Sequence, residues 1–173
     1  MSQHIRSRAR MLVLASGLYV MRTALPADLA LSELANLDVL TARGHAAVIT
    51  QRGMGNAFVV EQAGLQNGFA GLQDGNGNRA TIAQGGLQHG GWLRQTGLGN
   101  AYNLLQSGLA NQSSVNQWGQ ENQVGILQSG NANRAYVDQQ GSLSTAHIEQ
   151  YGNRRVATIT QYGTGNIATI IQH

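Results

Sequence analysis

QTGLGNAYNLLQ, from Gln95 to Gln106, holds one full period of this sequence and the first residue of the next. The same glutamine recurs every eleven residues in both directions, at Gln51, Gln62, Gln73, Gln84, Gln95, Gln106, Gln117, Gln128, Gln139, Gln150, Gln161 and Gln172. A fixed period is the mark of a repeat architecture, in which each unit buries its face only against its neighbours.

Other rows keep the same register. Two places after the glutamine stands glycine in all eleven complete units: Gly53, Gly64, Gly75, Gly86, Gly97, Gly108, Gly119, Gly130, Gly141, Gly152 and Gly163. Five places after it stands asparagine in eight units (Asn56, Asn67, Asn78, Asn100, Asn111, Asn122, Asn133 and Asn166), with His89, Ser144 and Arg155 in the others. The ninth place is aliphatic in ten units, and only Gly71 breaks that row. The seventh is small or apolar, as in Phe58, Ala80, Tyr102 and Ala135, with Ser113 as the polar exception.

A period of eleven also suits a helix in a right-handed coil. A helix fails on two counts: a glycine in every unit costs roughly 1 kcal/mol each, and residues two apart point to nearly opposite helical faces. In a strand, residues two apart share a face. The unit is therefore a turn around the glycine and asparagine, followed by a strand of five or six residues. The fifth, seventh and ninth residues and the next glutamine point inward, and Arg79, Thr81, His147 and Glu149 point to solvent. Glycine also fills the fourth place in alternate units (Gly55, Gly77, Gly99 and Gly165, against Gln66, Gln88, Ala110 and Ala132), which doubles the period to twenty-two.

The expected fold is all-β: a parallel β-solenoid of six rungs, two strands to each 22-residue rung, over residues 45–173. Stacking at ~4.8 Å makes it a cross-β structure. The inward amides demand such a stack, since an unsatisfied buried polar group costs ~1–3 kcal/mol. In register, each amide donates to the copy above and accepts from the copy below, and the ladder stays open at the first and last rungs. The end IIQH (Ile170 to His173) reads as a strand without a cap, and open edges template other chains.

Composition narrows the function. Of 173 residues 23 are glycine and none is cysteine or lysine, so all 11 basic residues are arginines. Four of these (Arg6, Arg8, Arg10 and Arg22) precede or flank an apolar run from Met11 to Met21, with small residues near Leu25-Pro26-Ala27. That layout predicts a secretory signal over 1–27, too short in its apolar run for a membrane span of ~20 residues. Cleavage there leaves seven arginines against eight acidic residues, so the +3 of the whole chain becomes −1. No basic stripe for nucleic acid survives, and a net charge near zero favours self-association.

No chemistry-bearing cluster stands out. His4, His45, His89, His147 and His173 lack metal-ligand spacing, which predicts no metal site. Asp74, Glu121, Asp138 and Glu149 are scattered over the first, fourth and tenth places of their units, so no paired carboxylates recur on one face as in glycosidases. The glycine turns lack the lysine and helix of a phosphate loop. No enzymatic activity, cofactor or small-molecule substrate is expected. Tyr151 and Tyr162, eleven apart, read as surface aromatics on opposite edges rather than as carbohydrate or dye contacts.

The units QRGMGN (Gln51 to Asn56), QDGNGN (Gln73 to Asn78), QTGLGN (Gln95 to Asn100) and QYGTGN (Gln161 to Asn166) resemble the curlin repeat of bacterial curli fibres, over about three quarters of the chain. DLALSELANLDVL (Asp28 to Leu40) is similar to the mature N-terminus of the family's minor, nucleating subunits, so residues 28–44 are expected to be a flexible secretion and targeting segment. The resemblance implies a secreted functional-amyloid subunit on the cell surface that nucleates a major curlin subunit, serving adhesion and biofilm matrix. It also implies a dedicated outer-membrane pore and accessory factors. Asn67, Asn111 and Asn133 stand where major subunits place serine, and Arg154 and Arg155 match a basic final repeat. The alternatives are a major fibre subunit and, from another class, a soluble solenoid binding ice or carbohydrate on one flat face. That last alternative requires regular threonine or aromatic rows outside, and the outer positions look irregular in the sequence.

Overall fold

The computed structural model describes residues 8–14, 19–22 and 44–173. From Ala46 the chain is a succession of short strands: β3 (Ala46–Arg52), β4 (Ala57–Leu65), β5 (Gly68–Asn76), β6 (Arg79–Leu87), β7 (Gly90–Leu98), β8 (Ala101–Leu109), β9 (Gln112–Gln120), β10 (Gln123–Asn131), β11 (Arg134–Ser142), β12 (Thr145–Asn153), β13 (Val156–Thr164) and β14 (Ile167–Gln172). Odd strands form one parallel sheet and even strands the other, each strand pairing with the one 22 residues on, glutamine to glutamine and glycine to glycine. The result is a parallel β-solenoid of six two-stranded rungs.

Two further strands, β1 (Arg8–Leu14) and β2 (Tyr19–Arg22), lie antiparallel on β3 and β4. Both fall in the stretch read as an export signal. The cleavage point at Ala27 and all but the last residue of the secretion segment 28–44 lie outside the described residues.

The core sits between the two sheets. Ile82, Leu93, Val115 and Ile148 are fully buried, and the seventh-place residues Phe58, Ala80, Tyr102 and Ala135 pack beside them. The break at Gly71 has a steric cause: a Cβ there would stand 2.4 Å from Cζ of Phe58 and 3.2 Å from Phe69. The two rings meet edge to face at 5.8 Å and occupy the space an aliphatic side chain fills in other rungs. Gly91 yields in the same way, its missing Cβ falling 2.4 Å from Phe69.

The strands are longer than the five or six residues read from the sequence; most have nine. They run on through the glutamine and past the second-place glycine, because that glycine bends the strand without ending its pairing. Its φ lies between +93° and +134° in every unit. The corner itself is made at the fourth place, which adopts left-handed φ of 54–72° in all eleven units, whether the residue is Gly55, Ala110, Glu121, Leu143 or Arg154. The alternation of glycine at this place therefore does not mark two kinds of corner. Seven non-glycine residues accept the conformation, at a cost of ~1–2 kcal/mol each that the pairing of successive corners offsets. Gly77 N–H donates to Met54 O at 2.9 Å and Arg79 N–H to Asn100 O at 2.8 Å, so backbone bonding continues round the bend.

Candidate functional site

The inward glutamines follow from strand alternation: with the ninth-place residue facing the core, the glutamine two places on must face it too. Those from Gln73 to Gln161 are buried, as is Gln51, and Gln62 and Gln172 are half-buried. They form two unbroken ladders. In one sheet Gln51 Nε2 donates to Gln73 Oε1 at 2.7 Å, and Gln73, Gln95, Gln117 and Gln139 each donate to the next in turn, ending on Gln161. In the other, Gln62, Gln84, Gln106, Gln128 and Gln150 donate up the column to Gln172 at 2.7–3.0 Å.

Both ladders have one direction. Every amide nitrogen points to the rung of higher number, so the low end presents Oε1 of Gln51 and Gln62, and the high end presents the amide N–H groups of Gln161 and Gln172. The second amide proton bonds the opposite sheet: Gln73 Nε2 reaches Ala57 O at 3.1 Å and Gln106 Nε2 reaches Gly90 O at 3.2 Å. Each glutamine from Gln62 onward thus ties rung to rung and sheet to sheet.

The asparagines do something different from the amide-to-amide ladder expected of them. Asn78 N–H donates to Oδ1 of Asn56 at 2.9 Å, and Nδ2 of Asn56 donates to Arg52 O at 2.9 Å and Gly75 O at 2.8 Å. The pattern repeats at Asn67, Asn111, Asn122 and Asn133. One methylene shorter than glutamine and placed at the corner, the asparagine amide meets peptide groups that the bend has taken out of the strand ladder. Only Asn100 also bonds a neighbouring asparagine side chain, Asn78 Oδ1 at 3.1 Å. Periodicity identifies these residues, and only the corner geometry identifies their partners.

The exceptions to the asparagine row are informative. His45 and His89 replace the asparagine oxygen with Nδ1, which accepts from Asn67 N–H at 3.4 Å and Asn111 N–H at 3.2 Å. His89 Nε2 stands 3.2 Å from Gly85 O and donates to it, which fixes a neutral ring. The Ser144 side chain is too short to clamp the next corner, and its hydroxyl donates to Ser142 O. Arg155, expected to enter the ladder, turns its side chain out to solvent and bonds the His173 carbonyl through Nη2. Burying an unpaired guanidinium costs several kcal/mol.

Burial lowers the His89 pKa from its ordinary 6.5, against the smaller opposing effect of the Gly85 and Gly108 backbone. The unfolded chain then takes up the proton first. The contribution is neutral to stability above pH about 6.5, and stability falls as pH drops from there to the lowered folded value. His89→Asn, which restores the repeat residue, is expected to remove this slope. Urea midpoints of the two proteins between pH 7.5 and 5 check it: the gap between them should widen on acidification. In the core, burial raises the Tyr102 phenol well above its ordinary range, and the phenol donates to Ser113 Oγ at 3.2 Å.

The two edges of the stack differ. At the low end β3 and β4 are bordered by β1 and β2. At the high end β13 and β14 have a partner on one side only among the described residues. There the inward row is unchanged: Ala168, Ile170 and Gln172 continue the columns of the buried Ala146, Ile148 and Gln150, yet are only half-buried because no rung covers them. Gly163, in the terminal strand β13, belongs to this edge. In interior rungs the Cβ of an alanine at the same place would fall about 2 Å from the glycine carbonyl oxygen of the next rung, whereas at Gly163 it meets only Nδ2 of Asn166 at 3.9 Å.

Residues 119–152 match the curlin associated repeat. The match runs from Gly119 to Gly152, three successive units of the eleven-residue period. No curated protein and no solved structure matches the chain.

Proposed function

We propose that this chain is a secreted subunit of curli-type surface fibres, and that it nucleates polymerisation of a major curlin subunit by templated strand addition. The single observation that carries the proposal is the high-numbered edge, where β14 presents an inward row of Ala168, Ile170 and Gln172 like that of interior rungs. Such an edge is completed by another rung: amide N–H groups of Gln161 and Gln172 face the place where incoming amide oxygens would sit. Adding a strand there is β-augmentation, with the backbone supplying affinity and the ladders supplying register.

The stretch 1–27 is the export signal in this account. Its removal takes β1 and β2 with it and leaves β3 and β4 as the acceptor-bearing edge, which the donor-bearing edge of a second molecule fits head to tail. Segment 28–44 serves secretion through an outer-membrane pore with its accessory factors, and the fibre serves adhesion and biofilm matrix. The nucleating role is supported by Arg154 and Arg155, both exposed beside the high end. A major fibre subunit is the second choice, favoured by the unbroken glutamine ladders.

The experiment is seeding. Substoichiometric purified protein, from Asp28 onward, is expected to shorten the lag of major-subunit fibrillation followed by amyloid-dye fluorescence. An unchanged lag, with fibres formed by this chain alone, would replace the nucleator by the bulk subunit.

A further inference from the structure

Register brings together outer residues that look scattered in the sequence. On the outer face of the odd-stranded sheet, one column runs Trp92, Ser114, Tyr136, Thr158 and another, four residues further along the strands, runs Thr96, Trp118, Gln140, Tyr162. The aromatics therefore alternate from side to side, one to each rung from β7 to β13. All four stand open to solvent, with 43%, 59%, 42% and 64% of the surface of Trp92, Trp118, Tyr136 and Tyr162 exposed.

Between the two columns lies a trough floored by Arg94, Asn116, Asp138 and Thr160, one to each rung. Asn116 Nδ2 donates to Asp138 Oδ1 at 2.9 Å and Gln140 Nε2 to Asp138 Oδ2 at 3.3 Å, so the floor is polar and offers both donors and acceptors. A cleft in the trough is lined by Arg94, Thr96, Asn116 and Trp118. The Thr96 hydroxyl, buried there, has no hydrogen-bond partner among the described residues.

We propose that this trough binds an extended β-1,4-linked glucan, lying along the solenoid axis with one sugar to each rung. Successive pyranoses in such a chain are turned over by about half a revolution and advance by a length close to the ~4.8 Å between rungs. Aromatic platforms on alternate sides match that alternation. The apolar ring faces stack on Trp92, Trp118, Tyr136 and Tyr162, and the hydroxyls meet the polar floor, the division of labour of sites that combine apolar walls with a few placed polar groups. Charge argues in the same direction: the floor carries one positive and one negative side chain, Arg94 and Asp138, which cancel and suit an uncharged polymer. A second sheet packed dry on this face would bury Arg94 and Asp138 two rungs apart, with no ion pair between them, a costly arrangement.

The trough belongs to the single chain, so its test does not require polymerisation. Trp92 and Trp118 are the two tryptophans of the sequence, and both line the trough. Titrating the full chain with cellohexaose is expected to change the tryptophan fluorescence saturably, with maltohexaose, whose helical α-linked chain cannot lie along the trough, binding at least tenfold more weakly. Tyr136→Ala with Tyr162→Ala should weaken cellohexaose binding at least tenfold and reduce retention on cellulose while leaving the circular dichroism unchanged. Leu105→Ala, on the outer face of the other sheet, should leave binding intact. Absence of a spectral change and of cellulose retention, equal binding of the two oligosaccharides, or full binding by the tyrosine variant would overturn the proposal. So would loss of lateral fibre bundling in that variant without glycan binding by the wild type, which would make the face a contact between fibres.

Discussion

Gln106→Leu is expected to lower stability by roughly 2–6 kcal/mol and to slow fibre assembly severely. Gln106 sits inside a ladder, accepting from Gln84 Nε2 and donating to Gln128 Oε1 and Gly90 O. Leucine matches the volume of glutamine but leaves a buried donor on one side and a buried acceptor on the other, each worth about 1–3 kcal/mol. Neither can turn to water, because the residues around them are fully buried. Gln128→Leu should behave alike. Gln66→Leu, at a solvent-exposed corner, should stay within about 0.5 kcal/mol of the wild type; the equivalent place in another unit already holds Leu143 at φ 57°. Denaturation midpoints and assembly lag times check all three. Similar behaviour of Gln106→Leu and Gln66→Leu would remove the ladder from the account.

Gly97→Ala carries the other large effect. Its added Cβ would fall 2.0 Å from Gly119 O and 2.9 Å from Gly119 C, both backbone atoms of the rung above. Neither can move without parting β7 from β9. Alanine at φ +118° adds backbone strain of about 1–3 kcal/mol, and overpacking costs about 1–3 kcal/mol more, so a loss of roughly 2–6 kcal/mol is expected. Gly85→Ala, where a Cβ meets nothing within 4 Å, is the matched control and should change stability by less than about 0.5 kcal/mol. Thermal unfolding of the two variants distinguishes a steric requirement at the second place from a general intolerance of side chains in the repeat.

Much of this architecture was legible in the sequence because the rows that carry it are separated by even numbers. Gln106, Leu104, Tyr102 and Asn100 lie two apart, and a strand is the only regular structure that gathers them on one face. The length of the strands was hidden because the glycine that reads as a turn continues the pairing at a positive φ. The corner was hidden because side chains such as Glu121 and Leu143 conceal a left-handed backbone that composition assigns to glycine.

The candidate site was legible in its residues and not in all its bonds. Glutamine-to-glutamine bonding follows from register alone, but the backbone partners of Asn56 depend on which peptides the corner strips from the ladder. The outer trough was invisible for another reason. Trp92 and Tyr136 lie two rungs apart, as do Trp118 and Tyr162, in columns that no eleven-residue alignment places side by side on one sheet.

The central claim, that the edge formed by β13 and β14 accepts the next molecule in the register of the interior rungs, is tested most directly by a substitution at the second-place glycine of β13. Gly163→Ala has no steric conflict within the chain: a Cβ there meets only Nδ2 of Asn166 at 3.9 Å. Against an added rung it would recreate the 2 Å clash that every interior rung avoids. Assembly of this variant, from Asp28 onward, is the measurement, by amyloid-dye fluorescence and electron microscopy alongside circular dichroism. The account predicts a folded β-rich monomer that forms no fibres. Fibre growth at the wild-type rate would contradict it.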